Sequence, residues 1–310
     1  MIKSSKRSSS NNKNRSGIAL LITLFFVIAI TASIGISLGQ VNNSLEKISG
    51  GRFITQSSAV LEDVSQLLKT SPEMELITDA TSLNLFLTSA AIIPFEVESL
   101  RVFIEMKSAR GKFNINTLAD SVKLQQEFEG YLQRYNVQDG VYLIDLFIDS
   151  IKGKQELYRS DLFDYMPWLY REGFVDEKHL KEVIDFYVRS RHDGAIYDVP
   201  WEKVIRFGEN NDTALDVNYM SAEMWQMVMP QMQIDSTIEL ADHLEVFETL
   251  EDTGFTPDEL NAPEVKIYNL GTYAPQITVT VDIEDNNESS SIKFEYDITT
   301  KKGKQFEFNI

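Results

Sequence analysis

The chain has 310 residues, no cysteine, and 47 acidic against 29 basic residues, for a net charge of −18. That length allows one large domain or two modest ones, and an apolar content of 43% is ordinary for a folded protein. Disulfides and thiolate metal sites are excluded, and so acidic a body does not suit nucleic-acid phosphates, which need a basic surface.

The first 17 residues carry Lys3, Lys6, Arg7, Lys13 and Arg15 and no acid, so the remainder is more acidic than the whole. From Gly17 to Val41 no residue is charged. A helix of about 24 residues is roughly 36 Å long, enough to cross a hydrocarbon core of about 30 Å. A secretory signal has a shorter apolar run, of about 7–15 residues, followed by a small-x-small cleavage site. Here the small residues Ala32, Ser33, Gly35, Ser37 and Gly39 are scattered instead. Bases ahead of the run and none close behind place the N-terminus in the cytoplasm and the acidic bulk on the far side.

The next segment, 42–72, predicts an amphipathic stem helix. Val41, Leu45 and Ile48, then Leu61, Val64, Leu67 and Leu68, recur at spacings of three and four. Gly50-Gly51 marks an expected bend or break, and Ser71-Pro72 a stop. In "SLRVFIEMKSARGKFNINTL" (Ser99–Leu118), Val102, Ile104 and Met106 alternate with Arg101, Phe103, Glu105 and Lys107, which predicts a strand followed by a glycine turn. Asn114 and Asn116 read as backbone caps, with Asn116 or Thr117 opening the next helix.

A tract rich in Leu, Ile, Phe, Tyr and Trp at helical spacing follows, from about Ala119 to Leu260. Strand signals return at the end: Ile277, Val279, Val281 and Ile283 alternate, Phe294, Tyr296 and Ile298 repeat the pattern, and Gln305–Ile310 closes the chain. Strand, long helical tract, strands: the layout predicts an α+β protein whose small sheet is interrupted by a helical domain.

Catalytic signatures are scarce. His179, His192 and His243 form no HExxH pattern, and no phosphate-binding glycine loop or nucleophile elbow is present. "RHDG" (Arg191–Gly194) suits a turn, and Asp145, Asp149 and Asp185 are expected at helix edges.

The residues around Gly17 resemble a known family. A basic, polar leader ending in glycine and running straight into a membrane helix is similar to the class III leader of type IV pilins and pseudopilins. The resemblance implies cleavage by a prepilin peptidase between Gly17 and Ile18, with methylation of the new terminus at Ile18. Most pilins carry glutamate at the fifth mature position, whereas this chain has Ile22. A carboxylate in the bilayer needs a neighbouring subunit's amine as partner, so an apolar residue there suits a subunit at a fibre tip. Gly17-Ile18-Ala19-Leu20-Leu21 is similar to the start of the K-type minor pseudopilins of type II secretion. The stretch Gly111-Lys112-Phe113-Asn114-Ile115-Asn116-Thr117-Leu118 resembles a signature that those proteins carry after a core strand. Where that family often has an aspartate, this chain has Ser108, Ala109 and Arg110, and Thr213–Val228, with Asn218, loosely matches its second Asn-rich helix start.

This resemblance implies a pilin-like fold. Residues 1–17 would be the leader, 18–41 the transmembrane helix and 42–72 the stem; 73–118 and 262–310 would form the core, and 119–261 an inserted all-α domain. It implies a structural role rather than an enzymatic one: capping the periplasmic pseudopilus and helping to start its assembly. A minor pilin initiating a type IV pilus and a signal-anchored periplasmic enzyme are the alternatives. The implied partners are the I- and J-type minor pseudopilins, the major pseudopilin, the prepilin peptidase and the inner-membrane secretion platform. The implied location is the bacterial inner membrane, with a single pass and the C-terminal part in the periplasm.

Calcium is the one cofactor that the sequence and the resemblance argue for together. It needs six to eight hard oxygen ligands, which Glu251, Asp252 and Asp258 in one stretch and Asp282, Glu284 and Asp285 in another could supply. Neither stretch has EF-hand spacing. The competing readings are a capped helix start at Thr256–Glu259 and a polar hairpin tip at 282–291.

Overall fold

The computed structural model describes residues 49–89, 92–97, 100–153, 157–209, 212–285 and 288–309. The expectations for the leader, for Gly17, Ile18 and Ile22, and for the spanning helix lie outside the described residues. Among the described residues no helix is long and apolar enough to cross a membrane.

Helix α1 (Ser49–Thr70) comes first. It includes Gly50 and Gly51, which therefore do not break it; two glycines cost about 1 kcal/mol each, less than tertiary packing can supply. The helix ends where expected, ahead of Pro72. Its buried stripe is Val60, Val64 and Leu68, one residue every turn, with Leu61 and Leu67 only half-buried. Helix α2 (Ala80–Ser89) follows, with Asp79 accepting from the Ser82 amide at its start.

Strand β1 (Ile92–Val97) and strand β2 (Leu100–Ser108) then form an antiparallel hairpin. Pro94 is tolerated because β1 is an edge strand. The alternation of Val102, Ile104 and Met106 is realised, all three being buried.

After Ser108 the chain leaves this sheet and builds a second compact unit, Ala109–Ala274. Its main helices are α3 (Val122–Arg134), α4 (Gly140–Lys152), α5 (Glu177–Arg191), α6 (Ala222–Val228) and α7 (Ile234–Ala241). Aromatic and aliphatic side chains from these helices converge on one core that includes Phe128, Phe147, Tyr187 and Trp225, with Leu240 and Ala241 of α7 packed at its margin. Four short strands run between the helices: β3 (Phe113–Asn114), β4 (Ile205–Arg206), β5 (Ala214–Asp216) and β6 (Asn269–Gly271). β3 pairs with β4 and β5 with β6, both in parallel.

Two corrections to the sequence reading follow. The unit is not all-α, because it contains these two ladders. Its limits are 109 and 274 rather than 119 and 261, because Phe113, Ile115 and Leu118 at one end and Val265 and Tyr268 at the other belong to the helical core.

The chain then returns as β7 (Gln276–Asp285), β8 (Glu288–Asp297) and β9 (Lys302–Asn309). The order β1-β2-β7-β8-β9 makes a five-stranded sheet, antiparallel throughout. Register sets the apolar rows: Ile104 opposite Val281, itself opposite Ile292, and Met106 opposite Val279, itself opposite Phe294. Burying each such side chain stabilises by roughly 1.5–3 kcal/mol. Helix α1 packs on β7 and β8, and α2 on β2, covering one face of the sheet. The Ser57 and Ser290 hydroxyls meet at 3.0 Å within that contact.

Candidate functional site

Gly111, Asn114 and Asn116 all lie in the second unit, at the point where its segments are tied together. The tie begins with a close approach. A Cβ on Gly111 would stand 2.1 Å from the carbonyl oxygen of Tyr219, so only glycine fits. One residue earlier, the Arg110 carbonyl accepts from the Asp216 amide at 2.9 Å.

Asn114 is the N-cap of a 3-10 helix over Ile115–Asp120, its Oδ1 accepting from the Asn116 amide at 3.2 Å. The same oxygen accepts from the Gly208 amide at 2.9 Å, and Nδ2 donates to the carbonyls of Glu209 at 2.6 Å and Asp212 at 3.1 Å. Asn116 reaches further. Its Nδ2 donates to the carbonyls of Phe174 and Gly208 at 2.9 and 2.8 Å, and its Oδ1 accepts from the Phe174 amide at 2.7 Å. Both side chains are buried. Capping was the expected role for both, and Asn114 performs it; Asn116 instead joins segments 58 and 92 residues away. The geometry is that of a joint, not a reaction centre, since both amides bond to backbone groups, Asn114 through four bonds and Asn116 through three.

A second turn repeats the plan. Asp216 caps the short 3-10 helix Val217–Tyr219, with Oδ1 accepting from the Asn218 amide at 3.1 Å and Oδ2 from the Ala274 amide at 3.0 Å. Asn218 Nδ2 donates to the carbonyls of Phe247 and Thr272 at 3.0 and 2.9 Å, and its Oδ1 accepts from the Phe247 amide at 2.8 Å. Each turn follows a strand of a parallel pair, and each leads to a serine-capped helix, Ser121 before α3 and Ser221 before α6. Burial pushes the Asp216 carboxyl up to about 6, against the pull of its two backbone donors.

Arg110 immediately precedes Gly111. Its guanidinium is buried and pairs with Asp212 at 2.5 Å, and Arg206 pairs with the same carboxylate at 3.3 Å. No pattern in the sequence links Arg110 to Asp212, because they are separated by a hundred residues and only the tertiary structure brings them together.

The six candidate calcium ligands are not brought together. Glu251, Asp252 and Asp258 lie in the second unit, and Asp282, Glu284 and Asp285 lie on β7 in the first. Asp252 accepts from the amides of Glu248 and Thr249 at 3.0 and 2.7 Å, as the acid of a capping box. Asp258 sits within the helical turn Pro257–Leu260, where Thr256 and Glu259 form a second capping box. Glu284 pairs with Arg101 at 3.3 Å, and Asp285 faces Glu288 across the β7–β8 hairpin. Among the described residues no group of three such side chains could hold a metal ion. The capping and hairpin readings describe the geometry that these six residues have.

The other titratable residues have structural surroundings. His179 is buried beside Phe174, ring centroids 4.8 Å apart, and its desolvation holds its pKa below the usual value. His192 ends α5 in a left-handed conformation, and the neighbouring Asp193 accepts from the Gln138 and Ala195 amides and the Tyr187 hydroxyl. His243 stacks on Phe247 at 4.0 Å. Asp149 is fully buried rather than at a helix edge, because it accepts from the Arg159 amide and from the amide and hydroxyl of Ser160.

No protein-family model matches the chain, and no curated protein matches it. Among solved structures it is similar to the GspK chain of the GspK-GspI-GspJ complex from the type 2 secretion system of enterotoxigenic Escherichia coli. The TM-score is 0.59 at 13% identity, over 84% of this chain and 96% of that one. The chain therefore has a GspK-like fold.

Proposed function

We propose that this chain is a minor pseudopilin of a type II secretion system, placed at the tip of the pseudopilus and helping to start its assembly. The observation that carries the reading is architectural. A five-stranded sheet is interrupted between β2 and β7 by a helical unit larger than the sheet's own share of the chain, in a fold shared with nearly the whole GspK chain. The reading also rests on the Gly17-Ile18 boundary, and on Ile22 where most pilins have an acid.

In this reading the protein catalyses nothing. Residues 18–41 hold it in the bacterial inner membrane, the prepilin peptidase removes residues 1–17, and both compact units lie in the periplasm. I- and J-type minor pseudopilins pack beside it, as their counterparts do in the solved complex, and the major pseudopilin and the membrane platform extend the fibre below.

N-terminal sequencing of the protein from a host with an active prepilin peptidase should begin at Ile18, and Gly17→Ala should leave residues 1–17 attached. An intact Met1 in the wild type, or a cut beyond residue 39, would remove the pilin-like reading. Pull-down of the I- and J-type subunits of the same bacterium tests the assembly role separately.

A further inference from the structure

Between Arg206 and Lys266 the sequence holds fourteen carboxylates and no lysine or arginine. The same stretch holds five of the nine methionines, within "MSAEMWQMVMPQM" (Met220–Met232). Met220, Met224 and Met227 are buried, whereas Met229 and Met232 are half-buried.

These last two line an open groove of about 490 Å³ within the second unit, together with Phe255 and Val265. Its charged lining residues are Glu127, Glu259 and Glu264, all acidic. The groove is a fixed feature. Arg134 donates to the carbonyls of Gln226 and Pro230 at 2.7 and 2.9 Å, pinning the segment that carries Met229. Phe255 packs on the buried Trp225, ring centroids 5.7 Å apart. Glu259 is held by the amide and hydroxyl of Thr256 at 2.8 and 2.7 Å, and those bonds hold its carboxyl below its usual pKa. Just past Met232, Ile234 and Ile238 lie one turn apart on α7, both exposed.

We propose that this groove receives an amphipathic segment of another protein that carries lysines or arginines beside an apolar stripe. Methionine side chains adapt to varied apolar shapes, which suits the stripe. A lining whose charged residues are all acidic selects a basic flank and disfavours an acidic one. The inference does not depend on the tip assignment, since it uses only this groove and its charges.

The test uses the full chain in a zwitterionic detergent, with its methionine methyls labelled with carbon-13. The probe is a synthetic amphipathic helical peptide of leucine and lysine, compared with its leucine–glutamate counterpart. The Met229 and Met232 methyl signals should move with the lysine peptide and not with the glutamate peptide. Glu127→Lys/Glu264→Lys, which leaves the Thr256–Glu259 cap intact, should weaken binding about tenfold or more, and added salt should weaken it as well. Peptide lost to detergent is common to both proteins and cancels in the comparison. If the reversal disturbs folding, Glu127→Gln/Glu264→Gln should give a smaller loss in the same direction. Equal shifts with the glutamate peptide, unchanged affinity in the charge variants, or shifts confined to other methionines would each overturn the proposal.

Discussion

The Asn114–Asn116 turn and the Asp216–Asn218 turn place the same kinds of group in the same order, yet they differ in what they can withstand. At its first position the Asn114 turn has an amide, which both donates and accepts and satisfies four backbone groups. The Asp216 turn has a carboxylate there, which only accepts, and it serves two backbone amides while fully buried. One joint is independent of pH, and the other places a charge where desolvation opposes it. At the third position Asn116 is buried, whereas Asn218 is only half-buried.

The sharpest way to break the comparison is at the contact between the turns. Gly111→Ala drives a Cβ into the Tyr219 carbonyl, and backbone on both sides leaves no flexible atom to yield. It should cost about 3 kcal/mol or more, read from urea unfolding of the full chain. Next comes Asn116→Ala, which strands three bonds to buried backbone, those to Phe174 and Gly208. Its loss should be about 3 kcal/mol, against about 1–2 kcal/mol for Asn218→Ala, whose partners are nearer solvent. Equal losses at the two positions would mean that the difference in burial does not distinguish the turns.

The smallest effect is in pH dependence. The folded Asp216 carboxyl titrates near 6, above its usual 3.8, so between those values the folded state binds more protons than the unfolded state. Stability from this group therefore falls as pH rises from about 4 to 6, and it is greatest in acid. Urea midpoints taken across that window should show this slope in the wild type and lose it in Asp216→Asn. A slope that persists in the variant would assign the effect to other carboxylates.

Much of the first unit was legible because its strands are long enough to show a period. Val102, Ile104 and Met106 in β2, and Ile277 through Ile283 in β7, alternate over enough residues to identify their inner face. The short ladders of the second unit were not legible. β3 and β4 are two residues each, β5 and β6 three, and no periodicity exists at that length. No strand was expected over β1, since Pro94 interrupts its short apolar stretch and only the edge position makes that proline harmless. The Thr256–Glu259 capping box was visible at fixed local spacing, whereas the carboxylates read as calcium ligands could not be sorted by spacing alone. Asp252 turned out to hold its own backbone, and Asp282 and Glu284 point along one strand face.

What the chain's own order of residues determined is whatever depends on neighbours in sequence: the uncharged run after Gly17, the alternating strands, and the helix stops and caps. Tertiary structure alone decided the long-range pairings. Asn116 meets Phe174 and Gly208, Arg110 meets Asp212, and methionines near residue 230 join glutamates from residues 127 and 264 around one groove. Those meetings depend on how distant segments pack in three dimensions, and a buried polar group has to find its partner there because water can no longer supply one.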